Sequence, residues 1–317
     1  GDYVCTFNPT TMKQETTRVV YQQTAPTTKQ MYRITTCSGH TISATFDHKF
    51  MTEAGWTQAD ALAERLVAIS PFSKPLSRVV EPRHILTAET FSSALADACP
   101  DTLVQKYVRR LQTMQLLPLN STDTRVPILA RMFGFAYTDG TLTYHKRDRT
   151  FMLQACFGCE YGAERFQQDV ATLGFRKTKV RYGERVYKGS TYHTWDVCWQ
   201  GLVGCLFYAL GMTSGKKTTQ PTKNVPDWIV HGSDATAREY LSGFQGGDGC
   251  QIRFNALKRG SFNFVCAAGF LTTSPEHEAS LRSFMTTVSK LFQRLDIQTK
   301  VVRQKTSPPG RVQLGVY

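Results

Sequence analysis

No run of about 18 consecutive apolar residues occurs in the chain, so no segment reads as a membrane-spanning helix. The opening residues, Gly1-Asp2-Tyr3-Val4, lack the basic-then-apolar pattern of a secretory signal. The nine cysteines are odd in number and follow no framework spacing, which argues against a disulfide scaffold and for thiols in a reducing compartment. Cys156-x-x-Cys159 has no second pair at zinc-finger spacing, and Gly211 to Gly215 lacks the Gly-Lys-Ser/Thr ending of a phosphate loop. The expectation is an intracellular protein with neither a structural zinc nor a nucleotide loop. Acidic residues are scarce: 25 Asp and Glu stand against 38 Lys and Arg, a formal net charge of +13. What remains is the composition of a folded protein, since 41% hydrophobic and 11% aromatic residues over 317 positions fill the cores of about two domains.

The basic excess is not spread evenly. Before Val126 there are 13 basic and 11 acidic residues, and from Val126 onward 25 and 14, so the net charge is +2 and then +11. Such an excess in one half is the footprint of a polyanion partner, because neutralised phosphates release condensed counterions. Nucleic acid is the first candidate.

The first seventy residues read as short strands, Arg18 to Tyr21, Met31 to Thr36 and Thr41 to Thr45, with Ser38-Gly39 as a hairpin turn and no helical period before about Asp60. Tyr32 to Phe50, closing on Gly55-Trp56, resembles the second conserved block of the Hint fold of inteins, with Thr45-x-x-His48 as its core. The resemblance implies that the His48 imidazole polarises a scissile amide while the Thr45 hydroxyl hydrogen-bonds nearby, as in splicing chemistry. The family's opening Cys or Ser nucleophile and its closing His-Asn are missing, Cys5 is internal, and the chain runs out at Gln313-Leu314-Gly315-Val316-Tyr317. A partial Hint domain that does not splice is expected over 1–70.

Residues 71–125 read as a linker or small accessory subdomain that contacts DNA. Pro71, Pro75 and Pro82 punctuate its start, and helices are expected from Thr87 to Ala98 and from Asp101 to Leu117, with Asp101 as N-cap. Leu103, Tyr107, Leu111 and Met114 share a face at helical spacing, and Arg109 and Arg110 lie on an exposed one.

Two segments, Met132 to Gly140 and Leu241 to Gly249, share a Gly-Phe-x-x-x-Asp-Gly string, with Asp139 and Asp248 separated by 109 positions. Downstream of each the same kinds of element recur in the same order. After Asp139 come a hairpin around His145 to Arg149, the strand Thr150 to Phe157, the helix Gly162 to Leu173, the basic strand Arg176 to Arg181, the strand Tyr192 to Trp199 and the helix Gly201 to Leu210. After Asp248 come the strand Gln251 to Phe254, the turn Lys258-Arg259-Gly260, the strand Ser261 to Cys266, the helix Pro275 to Leu295, and the strands Thr299 to Arg303 and Val312 to Tyr317. The closing helix and a second pocket lysine do not follow, so impaired cleavage of one strand is an expectation if this is the whole chain.

Both segments resemble the LAGLIDADG motif. The fold class so implied is α+β: a truncated all-β Hint domain followed by a duplicated αββαββα endonuclease over 126–317, with repeats 126–224 and 225–317 related by a pseudo-two-fold axis. Gly134 and Gly243 would let the motif helices approach until Asp139 and Asp248 converge. Converging carboxylates repel unless a cation separates them, and hard oxygen donors select Mg²⁺ or a similar divalent ion such as Mn²⁺. In the family these Asp residues bind the ions that assist phosphodiester hydrolysis, and a basic residue sits near the scissile phosphate. Here Lys217, or else Lys216, matches that position, and Gln154 is a further candidate for orienting water.

Lys177, Lys179 and Arg181 alternate along one expected strand and share a face; Arg253, Lys300 and Arg303 are the candidates in the second half. Turn residues Lys146, Arg147, Arg149, Lys258 and Arg259 are expected to hold phosphates while strand side chains meet base edges. The partner expected is double-stranded DNA, engaged by a monomer wherever the host gene resides, in a prokaryotic cytoplasm or a eukaryotic nucleus or organelle. The alternative is a cleavage-inactive DNA-binding protein, or an RNA maturase, of the same fold.

Overall fold

The computed structural model describes residues 2–8, 13–35, 41–52, 55–63, 65, 67, 80–187, 189–249, 253–256, 262–265, 268–304 and 310–317. In chain order the strands and helices are β1 (Tyr3–Asn8), β2 (Lys13–Arg18), β3 (Met31–Thr35), β4 (Thr41–Thr45), β5 (Lys49–Thr52), β6 (Gly55–Gln58), β7 (His84–Leu86), α1 (Ala88–Leu95), α2 (Asp101–Thr113), β8 (Leu119–Asn120) and α3 (Val126–Thr138). There follow β9 (Gly140–His145), β10 (Thr150–Phe157), α4 (Glu160–Thr172), β11 (Arg181–Tyr187), β12 (Ser190–Gln200), α5 (Leu202–Ala209), α6 (Asp227–Val230) and α7 (Asp234–Asp248). The last are β13 (Arg253–Ala256), β14 (Phe262–Val265), β15 (Gly269–Thr273), α8 (Glu278–Arg294), β16 (Val301–Arg303) and β17 (Val312–Val316). The chain divides into two compact units, 1–75 with 252–265, and 76–251 with 266–317.

The first unit is built of antiparallel pairs, β1 with β2, β3 with β4, β5 with β6, and β13 with β14. Little of it is buried: Ala44, Ala59 and Leu62 are its core residues among those described. Residues 19–21, expected as a strand, lie outside one, and Val20 is 93% exposed. An apolar pair alone does not hold a strand that has no partner ladder. The expected Ser38-Gly39 turn falls outside the described residues, although the register Thr35 opposite Thr41 makes β3 and β4 a hairpin.

The core belongs to the second unit. Residues 76–125 are part of it, and Phe91, Leu95, Leu111 and Leu119 are buried with the motif helices' residues in one cluster. Thr87 caps α1 through Thr90 N, with Thr90 Oγ1 returning to Thr87 N at 2.8 Å, a reciprocal box that satisfies two orphan amides. In α2 Asp101 is the first helical residue and Pro100 the cap, and the helix stops at Thr113. Its buried stripe is Leu111, as expected, with Val104 and Val108, each one position on from the expected Leu103 and Tyr107, which are half-buried like Met114. The apolar set is wide enough to support either stripe, and packing chose the β-branched one.

Helix α3 carries Pro127 in its first turn and buries eight of its residues, so it is a central rather than a surface helix. A four-stranded antiparallel sheet in the order β11-β12-β10-β9 follows it. Alternation splits its residues: Leu142, Leu153, Ala155, Val197 and Trp199 are buried, and Thr141, Thr143, Gln154, Cys156 and Cys198 form the open face. The basic strand expected over Arg176 to Arg181 is absent; β11 begins only at Arg181. Residues 177–180 still alternate exposed and half-buried, but they are anchored by Thr178 N donating to Gln167 Oε1 of α4 at 2.7 Å rather than by a ladder.

The second set of elements repeats part of this pairing. As β10 pairs with β12 and β12 with β11, so β15 pairs with β17 and β17 with β16. Strand β15 has no counterpart in the sequence reading. Ser233 caps α7, accepting from Thr236 N at 3.1 Å.

Candidate active site

Helices α3 and α7 meet through glycine, and the meeting is reciprocal. A Cβ on Gly134 would lie 2.0 Å from Tyr240 O and 2.8 Å from Phe244 N; one on Gly243 would lie 1.9 Å from Arg131 O and 2.9 Å from Phe135 N. Tyr240 and Phe244 stand three residues before and one after Gly243, and Arg131 and Phe135 stand likewise about Gly134. Each glycine therefore meets the same backbone atoms of the other helix, the signature of an isologous contact. The approach continues to the helix ends, where a Cβ on Gly247 would lie 1.8 Å from Thr138 Oγ1 and 3.3 Å from Asp139 N.

Asp139 follows α3 as its C-cap, and Asp248 is the last residue of α7. The Asp139 backbone is pinned on two sides: its N–H donates to Phe135 O at 3.0 Å, and its carbonyl accepts from Cys156 N at 3.1 Å. Only the side chain is left to point onward. Lys217 reaches the same place from a short turn after α5, its Nζ donating to Ala136 O, Tyr137 O and Thr138 O at 2.8, 2.9 and 3.0 Å.

Electrostatics ties these three residues together. Burial, then the charge of Asp139, pushes the Asp248 carboxyl up to about 6, against a favourable pull from Lys217. Burial also raises Asp139, opposed by Lys217. The Lys217 ammonium is lowered to about 8 by burial, against the attraction of Asp248 and Asp139. Two carboxylates held near each other away from water pay for that placement, and one ammonium offsets only part of the cost.

The donor set fits a hard divalent cation: oxygen ligands, partly desolvated, with more negative than positive charge. Among the described residues no group of three His, Cys, Asp or Glu side chains gathers at a metal-binding distance, so two carboxylates leave room for water or substrate oxygens. Asp139 lines two grooves. One runs past Thr138, Thr141, Thr143, Lys216 and Lys217, and the other past Phe135, Tyr161, Arg165, Ser242 and Gly247.

The remaining expected residues are distributed as follows. Lys216 is exposed beside Lys217. Gln154 sits on the open sheet face between Thr141 and Cys198 in register, one row from Cys156, which bonds Asp139. Lys146, Arg147 and Arg149 are exposed at the β9–β10 turn, with Arg149 in the left-handed region at φ 45°. Lys177 and Lys179 are exposed in the segment before β11, and Arg181 opposes Asp196 in register. Lys300 is exposed before β16, while Arg303 turns to Glu278 at 3.4 Å. Arg253 is in β13, and Lys258 and Arg259 fall outside the described residues. In the first unit His48 is exposed and Thr45 half-buried, joined by a turn in which His48 N donates to Thr45 O at 2.9 Å.

Two features escaped the sequence reading. Gly247 carries the closest of these interhelical approaches, and its only signal was Gly246-Gly247 standing where the first motif has Tyr137-Thr138. Arg131 of α3 binds Asp169 of α4 through both carboxylate oxygens, at 2.9 and 2.6 Å, and also Glu239 of α7. Those three residues are far apart in sequence and share no local pattern.

No protein-family profile matches the chain. Similar sequences include the tRNA-splicing ligase RtcB of Methanopyrus kandleri, 28% identical over 86% of this chain and 27% of the ligase. The DNA-directed RNA polymerase subunit Rpo1N of Methanocaldococcus jannaschii is 26% identical over 69% of this chain and 17% of the subunit. The replication factor C small subunit of the same organism is 23% identical over 73% of this chain and 16% of its own length. The chain thus spans less than a third of each of these curated relatives. Among solved structures, similarity is found to the homing endonuclease I-DmoI in complex with DNA and Mn, with TM-score 0.35 and 14% identity over 61% of this chain and 91% of that one. The homing endonuclease I-WcaI bound to its DNA recognition sequence gives TM-score 0.38 and 14% identity over 61% and 76%.

Proposed function

We propose that the chain is an intein-derived, site-specific DNA endonuclease of the LAGLIDADG type. In this reading residues 126–317 form two repeats about a pseudo-two-fold axis, and residues 1–70 are part of a Hint domain carrying Thr45 and His48. The observation that carries the proposal is the reciprocal glycine contact that brings two helix ends, each bearing an aspartate, beside one lysine. The sequence relatives add support of another kind. They are a ligase, a polymerase subunit and a replication factor, each matched by this chain over less than a third of its length, as expected of an element inserted in unrelated hosts.

Asp139 and Asp248 would hold divalent metal, Mg²⁺ or Mn²⁺, through carboxylate oxygens. Such an ion supplies Lewis acidity at a phosphoryl oxygen and a water acidic enough to attack near neutral pH. The chain's own residues do the rest. Exposed Lys216 offsets charge on the phosphate in the groove it shares with Asp139. Gln154 and Thr141 present hydrogen-bonding groups on the open sheet face. Lys146, Arg147 and Arg149 bind the duplex backbone without reading sequence, side chains of the Lys177, Lys179 and Arg181 set meet base edges, and the enzyme works as a monomer in the compartment of its host gene.

The test is a selection for cleavage from a library of long random duplexes, with Mg²⁺ or with EDTA. Recovery of one long target cut only with Mg²⁺ is the expected result. Duplex retention without cutting in any divalent metal, or preference for structured RNA over duplex DNA, would overturn the nuclease reading.

A further inference from the structure

The carbonyls of Ala136, Tyr137 and Thr138 are the last of α3 and have no partner four residues onward within the helix. Lys217 Nζ donates to all three, at 2.8, 2.9 and 3.0 Å. An ammonium group has three N–H bonds and no acceptor. Every donor of Lys217 is therefore committed to the helix end, leaving none for a phosphate oxygen or a water. Lys216, next in sequence, is exposed and free of such bonds among those observed.

We propose that Lys217 is a positioning residue: it locks the final turn of α3 and so fixes the direction of Asp139, the next residue, instead of acting on the substrate. This departs from the part that the family resemblance implies for a pocket lysine, and it rests on the reading of Asp139 and Asp248 as the cation-binding pair. The positive charge suits a helix C-terminus, but the geometry is more demanding than the charge. Three carbonyls converging on one atom fit a tetrahedral ammonium. A guanidinium, whose donors lie in a plane, cannot cap them in the same way.

The experiment compares the full chain with Lys217→Met, Lys217→Arg and Lys217→Gln in two measurements made without DNA: amide exchange at Thr138 and Asp139, and Mn²⁺ affinity. Locking predicts exchange about tenfold faster and Mn²⁺ binding about tenfold weaker in both the Met and Arg variants, with Gln, which keeps two donors, between them and the parent. Restoration by Arg would overturn the proposal in favour of a charge role. So would tighter Mn²⁺ binding in the Met variant, the result of merely removing a neighbouring positive charge. Cleavage by a Lys217→Ala variant that is restored by added alkylamines in order of their basicity would show a proton-transfer role and also refute it. Should the Met variant not fold, the Arg and Gln variants carry the comparison. Amide exchange needs neither DNA nor metal, so failure of the nuclease reading and failure of this one are told apart.

Discussion

A Cβ on Gly134 would sit 2.0 Å from the carbonyl oxygen of Tyr240, inside any tolerable contact. The neighbour is helix backbone and has no rotamer to move, so α3 and α7 would have to separate. Gly134→Ala and Gly243→Ala are each expected to cost about 3 kcal/mol, at the upper end for overpacking. Gly246→Ala is the control: no atom lies within 4 Å of its added Cβ, and alanine is worth up to about 1 kcal/mol in a helix interior. Urea unfolding of the three variants checks the contrast.

The contribution of Asp248 to stability in the absence of metal should rise on acidification. The Asp248 carboxyl is raised to about 6 from 3.8, so its contribution is fully present below pH 4 and is lost as the pH climbs through 6. For a single group the difference is roughly 3 kcal/mol. Asp248→Asn should flatten the unfolding profile between pH 4 and 6. Divalent cations compete with that proton, so Mn²⁺ affinity should fall about tenfold per pH unit below 6. The lowered Lys217 acts at the other end: its contribution is missing below about pH 8 and appears as the pH rises toward 10.5.

Arg131 joins three helices through Asp169 and Glu239. Truncation to Ala leaves the partly buried Asp169 carboxylate without this partner and Glu239 with the exposed Arg238, at an expected cost of about 3 kcal/mol. Arg131→Ala with Asp169→Asn should recover part of it, as a double-mutant cycle in unfolding free energy will show.

Replacing Lys146 and Arg147 by Ala together is expected to weaken duplex binding alike for all sequences and to lower the slope of log affinity against log salt by about 2. Titrations between 50 and 200 mM salt, typical for such slopes, measure this directly. A change confined to one base position would instead mark these side chains as readers of sequence.

Much of the candidate site was legible because it is written twice. Gly134 with Asp139 and Gly243 with Asp248 recur at one spacing, and a recurring glycine marks a close approach more surely than any periodicity. The limits of the fold were less legible. Lys177 and Lys179 alternate like a strand, but Gln167, from another helix, holds that segment, and no local pattern reports a tertiary anchor. Strand β15, Gly269–Thr273, is defined by its pairing with β17 and so by residues about forty positions away. The Arg131 cluster and the cap that Lys217 places on α3 are of the same kind. They depend on which helix ends meet, a fact absent from any short window of sequence.

The most direct test of the central claim is cleavage and duplex binding by Asp139→Asn measured side by side on a selected target in Mg²⁺. The convergence of the two carboxylates predicts that cutting is lost while most of the DNA affinity remains. An Asn variant that cuts at the rate of the parent protein would contradict it.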